Sequence, residues 1–168
     1  MASQIPIGTP GLVHHPVLGD LAVDVKQVRR RYDGEPEESE VFDGEIKATV
    51  QADGAPVDIM LTPELVTDLA DWVDRCAARV MQTIADLDAI KAHAANDHLP
   101  IKNKDWLQDG EAPLSTPDFI KRLRLNGMNL LDDDGMNLFF NDGGLFAGHS
   151  IVVSIEEDGK PGYVQLFG

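Results

Sequence analysis

The stretch Asn141-Asp-Gly-Gly-Leu-Phe-Ala-Gly-His-Ser-Ile-Val-Val-Ser154 joins a polar, glycine-rich turn to a run of β-branched residues. Asp and Gly tolerate the backbone angles of tight turns, whereas Ile and Val favour an extended strand. The stretch therefore predicts a turn that leads into a buried strand. It also places an imidazole beside a hydroxyl, at His149 and Ser150, which makes the stretch a candidate catalytic site.

Asp-Gly pairs elsewhere in the chain predict β-hairpins, because both residues tolerate positive φ between alternating apolar runs. The turns are predicted at Asp53-Gly54, at the acidic run Asp132-Asp-Asp-Gly135 and at Asp158-Gly159. Asp142-Gly-Gly144 would link the second hairpin to the third, which predicts a four-stranded antiparallel meander in the C-terminal half. The strands are predicted over residues 45–50, 57–61, 125–131, 136–140, 149–155 and 163–167, with an earlier strand over residues 18–25.

A helical pattern separates the two groups of strands. Thr62-Pro63-Glu64 offers an N-cap, a proline for the first turn and an acid that suits the helix dipole. The pattern can continue to about Ala95, before Pro100, with a break near its middle left open. A second, shorter helix is predicted from Thr116 and runs into the strand at Leu125. The apolar stripe of the long helix consists of Leu65, Leu69, Trp72, Cys76, Val80, Ile84 and Leu87.

Together these elements predict an α+β fold. We expect an antiparallel β-sheet, built from the C-terminal meander and an N-terminal hairpin, packed against one long helix and a shorter helix. Residues 15–168 would form a single domain. Residues 1–14 are rich in Pro and Gly and would form a flexible N-terminal arm.

The charge of the chain excludes several classes of function. The 168 residues carry a formal net charge of −15, and residues 33–45 contain seven acids and no base. Because phosphate binding requires clustered Lys and Arg, we expect no nucleic-acid partner, and a basic protein partner is favoured instead. No apolar run reaches 18 residues, and the N-terminus lacks a basic and apolar leader. We therefore expect a cytoplasmic protein without membrane association.

Metal and cofactor motifs are missing from the sequence. An EF-hand loop placed on Gly135 would put Leu130 and Asn141 at positions that require Asp and Glu. None of the five histidines has zinc-site spacing, and Cys76 is the single cysteine. The sequence contains neither Gly-x-x-x-x-Gly-Lys-Ser/Thr nor Gly-x-Gly-x-x-Gly after a strand, the two glycine-rich motifs that bind phosphate groups. We therefore expect no metal and no cofactor.

His149, Ser150 and Asp142 are the candidate catalytic residues, since they are polar groups of the opening stretch. Adjacent strand residues point to opposite faces, so His149 and Ser150 would not readily form a nucleophile–base couple. The alternative is a structural histidine, hydrogen-bonded at the start of a strand. Trp106, in the linker between the helices, either pins that linker to the core or walls a pocket beside His149.

Five segments carry a family resemblance: His15-Pro-Val-Leu-Gly19, Phe42-Asp-Gly-Glu-Ile46, Lys104-Asp-Trp-Leu107, Thr116-Pro-Asp-Phe-Ile-Lys-Arg-Leu123 and Asp142-Gly-Gly-Leu-Phe-Ala-Gly-His-Ser-Ile-Val-Val153. They resemble an uncharacterised bacterial family that is classed as a domain of unknown function. Its members share a similar Phe-x-Gly-His-Ser-Ile segment near the C-terminus. The resemblance covers most of residues 15–168 and implies a bacterial, intracellular, stand-alone small domain. It implies no established activity, and therefore no catalytic residue.

We therefore expect an acidic protein-binding module, for example an immunity or inhibitor protein that blocks a basic partner such as a bacterial toxin. That some such families include immunity proteins is an analogy. The alternative is an enzyme or a small-ligand-binding protein with a site around His149. The sequence carries no signal of oligomeric state. The expected partner contacts are Glu35, Glu37, Glu38, Glu40, Asp43, Asp132, Asp133 and Asp134.

Overall fold

A computed structural model describes residues 5–31, 38–131 and 135–168, which form one β-sheet and three helices. This confirms the predicted α+β class. Alternation of apolar and polar residues produces the strands, and helical periodicity produces the segments between the fourth and fifth strands. The elements are β1 Gly11–His15, β2 Gly19–Arg30, β3 Ser39–Ala52, β4 Ala55–Thr62, α1 Leu69–Ala85, α2 Leu87–Asp105, α3 Thr116–Arg122, β5 Arg124–Leu131, β6 Met136–Asn141, β7 Ser150–Ile155 and β8 Pro161–Phe167.

The eight strands lie in the sheet in chain order, from β1 at one edge to β8 at the other. Neighbouring strands are antiparallel except β4 and β5, which are parallel. The sequence predicts a purely antiparallel sheet, and this is wrong at that one joint. The physical reason is the connection, because three helices separate β4 from β5 and return the chain to the end where β4 began.

The helices cover one face of the sheet and leave the other open. On β4, the side chains of Val57, Ile59 and Leu61 are buried, whereas Asp58 between them is exposed. The buried set joins apolar residues of α1 and α2, such as Trp72 and Ile90, in one core cluster. The period-two alternation therefore separates a helix-covered core face from an open face.

The predicted single long helix is two helices, α1 and α2, which meet at Asp86. The helix also begins later than predicted, because Thr62 is held in β4 by its pairing with Leu131 of β5. Asp68 then caps α1 by accepting a hydrogen bond from the Asp71 backbone N–H at 3.0 Å. Leu65, predicted to lie on the apolar stripe, precedes the helix and is 55% exposed.

The helix α2 also continues past its predicted end at Ala95 and contains Pro100. A proline inside a helix leaves the carbonyl four residues earlier without its usual donor. Here that carbonyl belongs to Asn96, and both Asn96 and Pro100 are exposed. Water can therefore satisfy the freed carbonyl, and the helix continues to Asp105.

Two segments that lie largely outside the predicted strands belong to the sheet. Residues 11–14 of the expected flexible arm belong to β1, which pairs with β2. Residues 39–45 of the acidic run belong to β3, an interior strand between β2 and β4.

No helix within the described ranges is long and apolar enough to cross a membrane.

Asp53 joins three elements at the tip of the β3–β4 hairpin. Its backbone adopts a positive φ of 54°, as the turn before Gly54 requires. One carboxylate oxygen accepts from Lys91 Nζ of α2 at 2.6 Å, and the other accepts from the backbone N–H of Leu125 in β5 at 3.0 Å. The side chains of Lys91 and Asp53 are only 6% and 16% exposed. This buried ion pair therefore ties the hairpin to the helix layer and to β5.

Two histidines attach the helices to the edges of the sheet. His15 Nδ1 accepts from the backbone N–H groups of Val17 and Leu18, so its Nε2 carries the proton that it donates to Asp74 of α1 at 2.9 Å. His93 Nε2 of α2 donates to the carbonyl of Gly162 in β8 at 2.7 Å. Both imidazoles thus hold strands β1 and β8 against the helix layer.

Candidate functional site

The open face of the sheet encloses a concave cavity of about 890 Å³, which we call the sheet groove. All eight strands contribute to it. A volume of this size lies in the range of ligand pockets, which is roughly 300–1,000 Å³. Its lining is Leu12, Asp20, Ala22, Lys47, Ala48, Thr49, Asp58, Ile59, Met60, Asn126, Gly127, Met128, Asn129, Phe139, Ser150 and Phe167.

Curvature of the sheet brings its two edges to the same groove. Leu12 lies on edge strand β1 and Phe167 on edge strand β8, and both line the cavity. Leu12 is 79% exposed and Phe167 is 63% exposed, so both apolar side chains are available for contact. Exposed apolar groups at the mouth of a concave surface are typical of a binding site.

The floor of the groove includes Gly127, which has no side chain. Gly127 on β5 pairs with Asp58 on β4 at one side and with Phe139 on β6 at the other. The register of β5 shifts between Leu125 and Gly127, which places Asn126 in a β-bulge. Bulges are common next to functional sites, where they redirect a side chain. Here the bulge adds Asn126 to the lining beside the bare backbone of Gly127.

The polar lining of the groove is acidic and rich in hydrogen-bond acceptors. It includes the carboxylates of Asp20 and Asp58 and the amide side chains of Asn126 and Asn129. Lys47 supplies a cation, but its Nζ lies 2.6 Å from Glu45 Oε1 on the same strand. The groove therefore suits a ligand that carries positive charge and hydrogen-bond donors beside apolar groups.

His149 lies away from the sheet groove, on the helix side of the sheet. Its Nδ1 donates to the carbonyl of Phe146 at 2.6 Å, which fixes the ring at the start of β7. Its ring contacts Trp106 edge to face, with centroids 5.7 Å apart. Ser150, the next residue, lines the groove instead. The structure therefore does not bring the candidate imidazole and hydroxyl to a common site.

Asp142 organises the turn before β7. Its side chain is buried, with Oδ1 accepting from the Gly144 N–H at 3.0 Å and Oδ2 accepting from the Phe146 N–H at 2.5 Å. The turn also passes close to α3, because a Cβ at Gly143 would lie 2.7 Å from the Arg122 carbonyl oxygen. Asp142 thus binds backbone of its own turn and does not line the sheet groove.

Aromatic side chains fasten this turn to the helix layer. Phe146 is fully buried, and its ring centroid lies 5.5 Å from Trp106, 5.9 Å from His98 and 6.2 Å from Phe119, in edge-to-face contacts. Trp106 is half-buried between Phe146 and His149. Trp106 therefore packs the segment after α2 against the turn.

A buried lysine holds the loop that follows Trp106. Lys102 is 1% exposed, and its Nζ donates to the carbonyl of Trp106 at 2.7 Å and to Glu111 Oε2 at 2.6 Å. The Lys102 ammonium holds the pKa of Glu111 below its usual value, and a hydrogen bond from the Gln108 N–H adds to this lowering. The ionised carboxylate of Glu111 is therefore the form that keeps the loop closed.

We expect acid to release this loop. The lowered pKa means that ionised Glu111 stabilises the folded chain fully above its usual pKa of 4.5, and that this contribution is lost as pH falls from there through the folded value. In thermal unfolding, the melting temperature of the wild type should exceed that of Glu111→Gln near neutral pH. The two melting temperatures should converge in acid. A difference in stability that stays constant from neutral pH down to about pH 3 would contradict this linkage.

The expected partner-binding acids divide into two groups. Glu35, Glu37, Asp132, Asp133 and Asp134 lie outside the described residues.

Glu38 is exposed, but the other two expected contact residues that the structure describes in this run are paired with bases of β2. Glu40 lies 3.1 Å from Arg29, and Asp43 lies 2.9 Å from Arg30 and 3.4 Å from Lys26. The part of the first acidic run that the structure describes is therefore largely neutralised within the sheet.

Within the ranges 5–31, 38–131 and 135–168, no three His, Cys, Asp or Glu side chains come together in a way that could hold a metal ion. The sheet groove is not among the sites predicted from the sequence. Its signal lies in the polar positions that alternate with core residues on β3 to β5, such as Thr49, Asp58 and Asn129, together with Gly127. These positions converge only when the three strands β3, β4 and β5 are placed in register.

Fold and groove together define a curved, eight-stranded α+β sheet protein with a helix layer on one face and a concave surface on the other. A family model described as an uncharacterised protein conserved in bacteria, DUF2262, matches residues 37–166. The match covers well over half of the chain, and the chain belongs to this family. No curated protein and no solved structure matches the chain significantly.

Proposed function

We propose that this protein is an acidic protein-binding module that holds a basic protein partner in the sheet groove. The proposed class of module is an immunity or inhibitor protein, which binds its partner and blocks it. The observation that carries the proposal is the groove itself, a cavity of about 890 Å³ with carboxylate and amide groups between exposed apolar edges.

Local pairing of charges favours the groove over the first acidic run as the contact surface. Glu40 and Asp43 already form ion pairs with arginines of β2, so a partner would have to displace those arginines. In the groove, by contrast, Asp58 accepts a hydrogen bond from the Thr49 hydroxyl. Since desolvating charges that are already paired costs free energy, Asp58 offers the more favourable contact. The other groove carboxylate, Asp20, lies 3.0 Å from His14 Nδ1.

The rest of the surface would assist encounter with such a partner. A net charge of −15 produces a long-range field that attracts basic proteins and speeds association at low salt. The apolar side chains of Leu12 and Phe167 would then supply contact area at the two edges of the groove. Charge thus directs the encounter, and the groove provides the specific contacts.

Site-specific photo-crosslinking tests the proposal. A benzophenone amino acid at Leu12 or at Phe167, in chains expressed in the native bacterium, should crosslink to the same basic protein from both edges of the groove. Met81 is the matched control, because it is 48% exposed on α1, in the helix layer. The same substitution there should not give that product.

The captured protein is then purified and titrated with the wild type at rising ionic strength. Its affinity should fall with added salt, because the attraction between exposed charges is screened. Absence of any common product from the two groove positions would end the proposal. So would an equally strong product from position 81, since that would show contact without preference for the groove.

A further inference from the structure

We propose that the hollow above Gly127 is a slot for one arginine side chain of the protein partner. This inference rests on the proposed function, and it names the group that the groove recognises. The slot is the space between Asp58 and Phe139, which we call the Gly127 slot. None of its residues is among the candidate site residues predicted from the sequence.

The register of three strands sets the width of the slot. Asp58, Gly127 and Phe139 are direct cross-strand partners on β4, β5 and β6, so their Cα atoms lie in one row across the sheet. Neighbouring strands are about 4.8 Å apart, which places Asp58 and Phe139 roughly 9.5 Å from each other. All three residues line the sheet groove, and the middle one has no side chain. The gap is therefore about one side chain wide.

One wall of the slot carries a negative charge that is available to a ligand. Asp58 Oδ1 accepts from the Thr49 hydroxyl at 3.2 Å, which orients the carboxylate from the β3 side. Among the described residues, no Lys, Arg or His lies within ion-pair distance of Asp58. The cation nearest in the lining, Lys47, is instead paired with Glu45. Asp58 therefore keeps acceptor capacity on the side that faces Gly127.

The opposite wall is aromatic. Phe139 is half-buried beside the slot, and a cation over the face of an aromatic ring is attracted by its quadrupole. A guanidinium group is planar, so it can stack on the ring and still donate two parallel hydrogen bonds to a carboxylate. A carboxylate on one side and a phenyl ring on the other thus match arginine better than they match the compact ammonium of lysine.

Asn126 and Asn129 supply further acceptors around the slot. Asn126 reaches the lining because of the β-bulge, and Asn129 lies two residues along β5 on the same face. A guanidinium has five N–H donors, of which a bidentate carboxylate uses two. The amide oxygens of these asparagines can accept from the remaining donors. The bulge thereby completes a site that regular β5 pairing would leave with fewer acceptors.

The extent of the groove indicates a protein-borne arginine and not the free amino acid. The cavity reaches from Leu12 on β1 to Phe167 on β8, well beyond the three strands that form the slot. These exposed apolar ends would contact residues that flank the arginine in a partner chain. Free arginine would occupy the slot and leave both ends of the groove without contact.

Paired peptide pools test the Gly127 slot. One pool has arginine at the centre of five positions, and the other has citrulline, which keeps the shape but lacks the charge; the outer positions are randomised. The immobilised wild type should retain the arginine pool about tenfold more than the citrulline pool, since citrulline cannot form the charge-assisted bidentate pair with Asp58. The Asp58→Asn chain should lose this preference.

Matched variants separate a charge effect from a specific one. Asp24→Asn removes the same charge from β2, from an exposed residue that does not line the groove, and it should keep the preference for arginine. Phe139→Leu should reduce retention of the arginine pool severalfold, because it removes the aromatic wall. Circular dichroism confirms that each variant is folded before retention is compared.

Three results of the peptide-pool experiment would overturn the slot. The first is equal retention of the two pools by the wild type, which includes the case in which neither pool is retained. The second is a preference for arginine that survives in Asp58→Asn. The third is displacement of the arginine pool by an equal concentration of free arginine. The last would mean a small-molecule site. If the partner captured by crosslinking binds Asp58→Asn as tightly as the wild type, the slot is wrong and the protein-binding function stands.

Discussion

Replacing Phe146 by alanine should lower the free energy of unfolding by about 3–5 kcal/mol, the usual cost of emptying a fully buried phenyl site. Phe146 has no exposed surface, and its ring contacts those of His98, Trp106 and Phe119. Alanine would remove all three contacts at once and leave a cavity between the turn and the helices. Equilibrium denaturation in urea measures the loss, and the melting temperature should fall by roughly 10 °C.

Phe167→Ala is the control for this substitution. It deletes the same ring from the other end of the C-terminal region, where the side chain is 63% exposed in the sheet groove. Its unfolding free energy should change by about 0.5 kcal/mol or less, as for most surface substitutions. If Phe146→Ala is as mild as Phe167→Ala, the aromatic cluster does not hold the turn against the helices.

Asp53→Asn should destabilise the chain to a similar degree, by about 3–5 kcal/mol, because it leaves the buried ammonium of Lys91 without a counter-charge. Asparagine tolerates positive φ, so the hairpin turn itself remains compatible with the new residue. The carbonyl oxygen of its amide can still accept from the Leu125 N–H. The substitution therefore isolates the ion pair from the turn. Denaturation in urea at neutral pH measures the effect.

A double-mutant cycle completes this experiment. Lys91→Met removes the ammonium but keeps a flexible apolar chain of similar length. Adding it to Asp53→Asn should restore part of the lost stability, since a buried ion pair can be replaced by uncharged groups at small cost. Additive losses in the double variant would show that the two side chains, 2.6 Å apart, act independently.

The parts of this fold that are predictable from sequence are those that short-range chemistry determines. The β3–β4 hairpin follows from Asp53-Gly54 between alternating apolar runs, and it forms where predicted. The division of the helix at Asp86 does not follow from the apolar stripe, because the stripe continues through it. The start of α1 depends on Thr62 pairing with Leu131, a residue far away in the chain.

The sheet groove could not be predicted for the same reason. Its polar groups sit at solvent-facing positions of ordinary strands, and a single strand shows no difference between such a position and a functional one. Only the parallel pairing of β4 with β5 places Asp58 beside Gly127. His149 attracts notice in the sequence because histidine is rare and versatile, yet its Nδ1 is committed to the carbonyl of Phe146.

The parallel joint between β4 and β5 also divides the folding problem. Strands β1 to β4 can pair through successive short hairpins, and so can β5 to β8, since each of these pairs links neighbours in the chain. The joint itself brings Asp58 to Gly127 across three helices, which requires closing a long loop. Two halves that can nucleate separately must therefore dock before the groove exists. A ligand bound across that joint would stabilise the docked arrangement of the two halves, which is the last step of folding.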